Sequence, residues 1–278
     1  MFKLSARHIA TYLFMGLGFA VTMGFIYMQY VYYDAMIATL GVTNAQLGFL
    51  ITIEAVIAFI ASIPGGMIAD KIDSRIAVFV GMFGMSATMA IFALMPTYGI
   101  AKIVWGVASA LMSVWYCAIY KVVRVIAPPE AIGKSYGMFG AGVAIGSIIV
   151  NVAGLALYDH FAAESLTKGF SAIVWAFAIA GFIGAIGGFI SARPLEVQDE
   201  EAEDDGGEKG SAMKELVEAI KDPSTWLYVF GCFSIYSFQV SISYFTPYFS
   251  SVLGTTVAFA GVVAVFRQYG LRIISAPV

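Results

Sequence analysis

The chain reads as an all-α polytopic membrane protein. Three observations carry this. Of its 278 residues, 60% are hydrophobic and only 12% charged, where a soluble domain holds about 25% charged residues. Mean hydropathy is +0.86. The charges also cluster, leaving uncharged runs at 9–33, 76–101, 135–158 and 169–192, each long enough for ~30 Å of hydrocarbon. Residues 35–69 hold only Glu54 and residues 98–120 only Lys102, while 223–266 are uncharged throughout. Eight helices follow, the last incomplete.

Lys and Arg give the orientation. Residues 194–208 contain eight acids and no base, so net charge says little. In an alternating topology Lys3, Arg7, Lys71, Arg75, Lys121, Arg124, Lys134, Arg193, Lys209, Lys214 and Lys221 fall on one side and only Lys168 on the other. The positive-inside rule then puts the N-terminus and the acidic loop in the cytoplasm of a plasma membrane, the inner membrane in a bacterium. The first apolar run lacks a small-x-small cleavage site and is read as a retained helix. Cys117 and Cys232 read as buried apolar cysteines, and His8 and His160 stand alone. No nucleophile–base pair or metal-ligand cluster appears, which excludes enzyme, cofactor and metal-site readings. Nothing points to nucleic acid.

Helix 1 is expected from about Ile9 to Tyr33, closing in Tyr27, Tyr30, Tyr32, Tyr33 and Asp34. Tyr32 and Tyr33 read as an interfacial aromatic belt. Tyr27 and Tyr30, at i, i+3, are candidates to face a cavity. Helix 2, about Ala45 to Ala69, carries Glu54, an acid within the span. It must face protein or water, either protonated against a neighbouring helix or as a substrate contact or proton carrier. Helix 3 follows the loop 70–75, and Pro96-Thr97-Tyr98-Gly99 turns the chain into helix 4, where Lys102 lies inside the apolar run. Helix 5 carries Gly137, Gly140, Gly142 and Gly146, spacings that admit a close neighbour, and Asn151, expected to bond between helices. Helix 6 spans about Phe170 to Ala192.

Gly66, Asp70, Lys71 and Arg75 match Gly-x-x-x-Asp-Arg/Lys-x-Gly-Arg-Arg/Lys, with Asp73 at the second Gly and Ser74 at the first of the final basic positions. The stretch resembles the signature loop between the second and third helices of the major facilitator superfamily. Lys102-Ile103-Val104-Trp105-Gly106 is similar to that family's fourth-helix Arg-x-x-x-Gly pattern, with Lys for Arg. The resemblance implies a monomeric secondary transporter working by alternating access. Gly66, Asp70, Lys71 and Arg75 would then form a cytoplasmic latch.

A shift of 213 residues aligns 40–65 with 253–278 without a gap, pairing Leu40/Leu253, Gly41/Gly254, Gly48/Gly261 and Pro64/Pro277 among eight identities. Parallel repeats of this kind build the superfamily. Three regions are expected: a six-helix bundle over 1–192, an acidic linker with an amphipathic helix over 193–224, and the start of a second bundle over 225–278. Val278 falls where the second signature loop would begin, so about eight of twelve helices are expected here. The same shift puts Glu54 and Arg267 at one repeat position, on facing helices. Arg267 is then a clamp for a small anion such as a sugar acid, organophosphate, carboxylate or nitrate. Glu54 is its partner or a protonation switch, with protons as candidate coupling ion. Lys102 adds cavity charge, and Tyr236, Gln239 and Tyr30 shape the site. A neutral-sugar carrier with a structural Glu54–Arg267 pair is the rival, and a transporter-like sensor a remote one.

Overall fold

The computed structural model describes residues 4–127, 129–195, 217–218, 220–241, 245–256, 259–260, 262–263 and 266. The helices run α1 Ala6–Ile26, α2 Gln29–Leu40, α3 Asn44–Lys71, α4 Ser74–Ala93, α5 Tyr98–Val125, α6 Ile132–Ala162, α7 Leu166–Ala192, α8 Pro223–Ser241 and α9 Phe245–Ser251. Among the described residues, six of them (α1, α3, α4, α5, α6 and α7) are long and apolar enough to cross a membrane. By contacts the chain divides into one unit of residues 1–198 with 246–278, and a second of 199–245.

The helix ends follow the sequence. Ser5 accepts from the His8 amide at the start of α1. Thr43 and Gln46 form a reciprocal capping box on α3, satisfying two amides that would otherwise be stranded at the membrane surface. Asp73 caps α4 by accepting from the Arg75 amide. Gly41 closes α2 in the left-handed conformation at φ 60°, where a Cβ would be strained.

In the first unit, α3 packs on α5, α5 on α4, α4 on α7 and α7 on α6, and α1 lies against α6 and α7. Between α5 and α6 contact is slight, so this row of helices is open on one side. Glycine places α1. A Cβ on Gly16 would come within 2.6 Å of Gly142 C in α6, and one on Gly184 in α7 within 2.5 Å of Gly18 N. Backbone therefore meets backbone on both flanks, the close approach expected of Gly142 and Gly146 in helix 5.

Three expectations need correction. The first membrane helix does not end at Tyr33. It breaks at Tyr27–Met28 and resumes as α2 to Leu40, with Tyr32 off helical geometry at φ −112°, ψ 28°. Asp34 can sit inside α2 because Ser250 Oγ donates to its carboxylate at 2.7 Å. Tyr32 is consequently no belt residue. It lies well inside the element, 1% exposed, and its hydroxyl donates to the Asn151 carbonyl at 3.0 Å. Asn151 bonds between helices only through that carbonyl, since its amide donates to Ser147 O in its own helix. Finally, Cys117 and Cys232 are exposed, not buried. A small apolar thiol is tolerated on a helix face turned to lipid or to a cavity, so burial is not required of it.

Candidate functional site

On α3 the buried positions Leu47, Leu50, Glu54, Gly65 and Ala69 recur at helical spacing, and that stripe faces α5. A Cβ on Gly106 would meet Ile57 at 2.9 Å, and one on Gly65 would meet the Ser113 carbonyl at 2.8 Å. The pairs 57/106 and 65/113 fix the register of two parallel helices at offsets of 49 and 48. Adding 48 to 54 gives 102, so Glu54 and Lys102 stand at one level on adjacent helices.

Glu54 is 7% exposed and about 15 Å along α3 at 1.5 Å per residue. Among the described residues it makes no hydrogen bond or ion pair. The neighbouring-helix hydrogen bond considered for it is not made within that set. Lys102 is half-buried, and its ammonium lies 5.1 Å from the centroid of the Tyr98 ring, one turn earlier. It lines an open, mainly apolar cleft of about 570 Å³ with Ile57, Gly99, Ile103, Gly106 and Val107. No carboxylate of the described set lies within ion-pair distance. The cleft thus offers one cation on an apolar wall, beside a buried carboxyl on the next helix.

Arg267 lies outside the described residues, so its pairing with Glu54 has no counterpart in this geometry. Tyr30, Tyr236 and Gln239 are on described helices, α2 and α8, but their side chains are outside the described set, as is that of Asp70. Gly66 has open space around its Cα and Lys71 is exposed.

Arg75, expected to serve the latch, is engaged within the first unit. Its guanidinium donates to Asp73 through Nε at 3.1 Å and Nη2 at 2.6 Å, and Nη1 reaches the Arg193 carbonyl at 3.3 Å. Asp73 is the residue at the signature's second glycine. The Arg75 guanidinium and amide both donate to its carboxylate and hold it below the ordinary aspartate value. Asp73 was absent from the expected site, although an Asp immediately before a helix is a readable N-cap signal. At the same end of the unit, His8 Nε2 lies 3.0 Å from Ile126 O and Nδ1 lies 2.6 Å from Ser5 Oγ. A carbonyl can only accept, so Nε2 carries a proton and donates to it.

Sequence reasoning also missed an aromatic cluster across the α5–α6 gap. Phe19 of α1 meets Trp115 at 5.4 Å, Tyr116 at 6.0 Å, Tyr120 at 6.3 Å and Phe139 at 5.5 Å between ring centroids. Tyr120 stacks on Tyr136 at 6.5 Å. Tyr116 and Tyr120, four apart on one helix face, were the available signal.

Comparison with known proteins bears on the whole arrangement. The family model described as Major Facilitator Superfamily matches residues 11–275. Inner membrane protein YihN of Escherichia coli (strain K12) is 25% identical over 245 residues, covering 85% of this chain and 56% of the relative. Inner membrane protein YqcE of the same strain is 20% identical over 265 residues, covering 92% and 60%. This chain therefore spans little more than half the length of the curated relatives it matches. Among solved structures, a bacterial homolog of the human lysosomal transporter Spinster, in an inward-facing and unoccupied conformation, superposes with a TM-score of 0.71 at 18% identity. That match covers 96% of this chain and 60% of that one. With six membrane-length helices in the described residues, the signature-loop residues at the α3–α4 turn and a family match over nearly the whole length, the chain belongs to the Major Facilitator Superfamily.

Proposed function

We propose that this chain forms part of a secondary transporter that moves a small hydrophilic anion across the inner membrane by alternating access. The observation that carries the reading is Lys102: a half-buried ammonium inside a membrane span, facing an apolar cleft, with no described carboxylate at ion-pair distance. A cation held there only by the face of the Tyr98 ring is incompletely compensated, and an anionic solute would complete it. The match to transporters of one superfamily supports the transport part.

In this reading Arg267 clamps the anion, with Lys102 adding charge and Tyr30, Tyr236 and Gln239 shaping the site. Glu54 serves as partner of Arg267 or as a protonation switch that couples uptake to protons. Gly66, Asp70, Lys71 and Arg75 latch the cytoplasmic side. There the Asp73–Arg75 pair restrains Arg75 and makes the latch depend more on Asp70 and Lys71. In this reading the N-terminus and the acidic segment lie in the cytoplasm, as the positive-inside rule supports, and the transporter works as a monomer.

Uptake into proteoliposomes tests this with glucuronate, glycerol phosphate, nitrate and neutral glucose, with and without an imposed proton gradient. Lys102→Gln and Arg267→Gln should each cut anion uptake at least tenfold. Glucose uptake that survives both substitutions would instead identify a neutral-sugar carrier.

A further inference from the structure

Phe19, Trp115, Tyr116, Tyr120, Tyr136 and Phe139 come from three helices, α1, α5 and α6, and close the gap where α5 and α6 barely touch. The cluster is rigid. Trp115 Nε1 donates to Met85 Sδ at 2.8 Å, and Tyr136 Oη donates to the Tyr120 carbonyl at 3.2 Å. Tyr120 is bracketed by Tyr116 at 5.7 Å and Phe139 at 6.0 Å. Trp115 is fully buried and Phe19 nearly so, whereas Tyr116 and Tyr120 remain 39% and 38% exposed. The cluster has a buried back and an exposed front.

The front is bordered by positive charge. Arg124 is exposed and stands four residues after Tyr120, on the same helix face. Between Tyr98 and Val125 there is no acid and α6 has none before Asp159; the connection between the two helices carries a single exposed acid, Glu130. That balance disfavours a cationic ligand, although aromatic faces alone would welcome one. It suits a ring whose apolar face lies on tyrosine while its acid group meets guanidinium.

We infer that Tyr116 and Tyr120 form a stacking platform for a cyclic organic anion, with Phe19, Trp115 and Phe139 as its rigid backing and Arg124 as its charged rim. The platform narrows the transport reading above, on which it rests, from any small anion to one that carries a ring. Because the rings are held before any ligand arrives, little side-chain entropy is lost on binding. Cys117 lies between the two tyrosines in sequence and is exposed, so it reports occupancy.

The test uses the whole chain in lipid nanodiscs and three probes: glucuronate, a ring with a carboxylate; gluconate, the carboxylate without the ring; and methyl glucoside, the ring without charge. Binding is read by calorimetry. It is read independently as protection of Cys117 from N-ethylmaleimide in a Cys232→Ser background. Glucuronate should bind and protect Cys117. Tyr116→Leu and Tyr120→Leu should each weaken it about tenfold, roughly what one lost stacking partner is worth, and leave gluconate unchanged. Tyr120→Phe, which keeps the ring, should behave as the parent and shows that the effect is not misfolding. Glucuronate binding indifferent to both leucine substitutions, or no binding by either ring probe, overturns the platform. If methyl glucoside matches glucuronate and Arg124→Gln changes neither, the platform stands and the anion reading falls.

Discussion

Gly184→Ala is the most exacting check on the packing described above. In the α1–α7 crossing, the added Cβ would sit 2.5 Å from Gly18 N, 2.6 Å from Gly18 Cα and 3.0 Å from Phe14 O. All three are backbone atoms, so no side-chain rotation relieves the clash. Ordinary carbon contacts begin near 3.5 Å, so the helices must part by roughly 1 Å. A gap of 0.5–1 Å forfeits a quarter to a half of each van der Waals contact. Packing supplies much of what holds helices together where lipid is as apolar as leucine. Overpacking of this kind costs about 1–3 kcal/mol, and the rigid neighbours argue for the upper part of that range. The assay is thermal unfolding in detergent micelles, followed by the loss of helical circular dichroism. The control is Gly48→Ala on α3, where an added Cβ meets nothing within 4 Å. It should be neutral or slightly stabilising, since alanine is the better helix former by about 0.5–1 kcal/mol. Equal melting temperatures for the two variants would refute the Gly18–Gly184 crossing.

Other perturbations probe the capped loop and the buried acid. Asp73→Asn removes the charge pair with Arg75 but keeps an N-cap of equal rank, and should cost no more than about 1 kcal/mol because the pair is partly exposed. The Asp73 carboxyl titrates below its ordinary value, so its stabilisation is present above the unfolded value and is lost as pH falls through the folded one. Melting curves of parent and Asp73→Asn should therefore converge only at strongly acidic pH, and convergence near neutrality would contradict the assignment. Glu54→Gln should leave stability within about 1 kcal/mol, since no partner among the described residues is broken, yet abolish any proton dependence of uptake. Persistent proton coupling in that variant would remove Glu54 from the mechanism. Tyr32→Phe deletes a buried hydroxyl that serves the Asn151 carbonyl and should destabilise by about 1 kcal/mol. An unchanged melting temperature would return Tyr32 to the interfacial role expected of a belt tyrosine.

Much of this protein was legible along the chain, and the reason is the solvent. A bilayer sorts segments one at a time by length and charge, so uncharged runs gave five of the six long spans to within a few residues, the first breaking earlier than its run, and α3 ends at the signature loop as expected. End signals act over three or four residues. Thr43 with Gln46 and Asp73 before α4 are therefore local as well. The sequence also placed Glu54 and Lys102 inside spans, where each had to be explained.

Which faces meet was decided only by the assembled bundle. Six helices of similar hydropathy have no hydrophobic reason to prefer one neighbour, and the choice falls to small differences in close packing that a single helix does not display. That choice sets Gly16 on Gly142 and Gly18 on Gly184. It brings Glu54 level with Lys102, and draws Tyr32 inward where hydropathy alone put it at the interface. It leaves Cys117 exposed and opens the α5–α6 gap that gathers Tyr116, Tyr120 and Tyr136 over Phe19. Insertion is settled residue by residue against lipid. The arrangement of the candidate site is settled helix against helix, because its chemistry lies in side chains far apart in sequence that share one level and one opening.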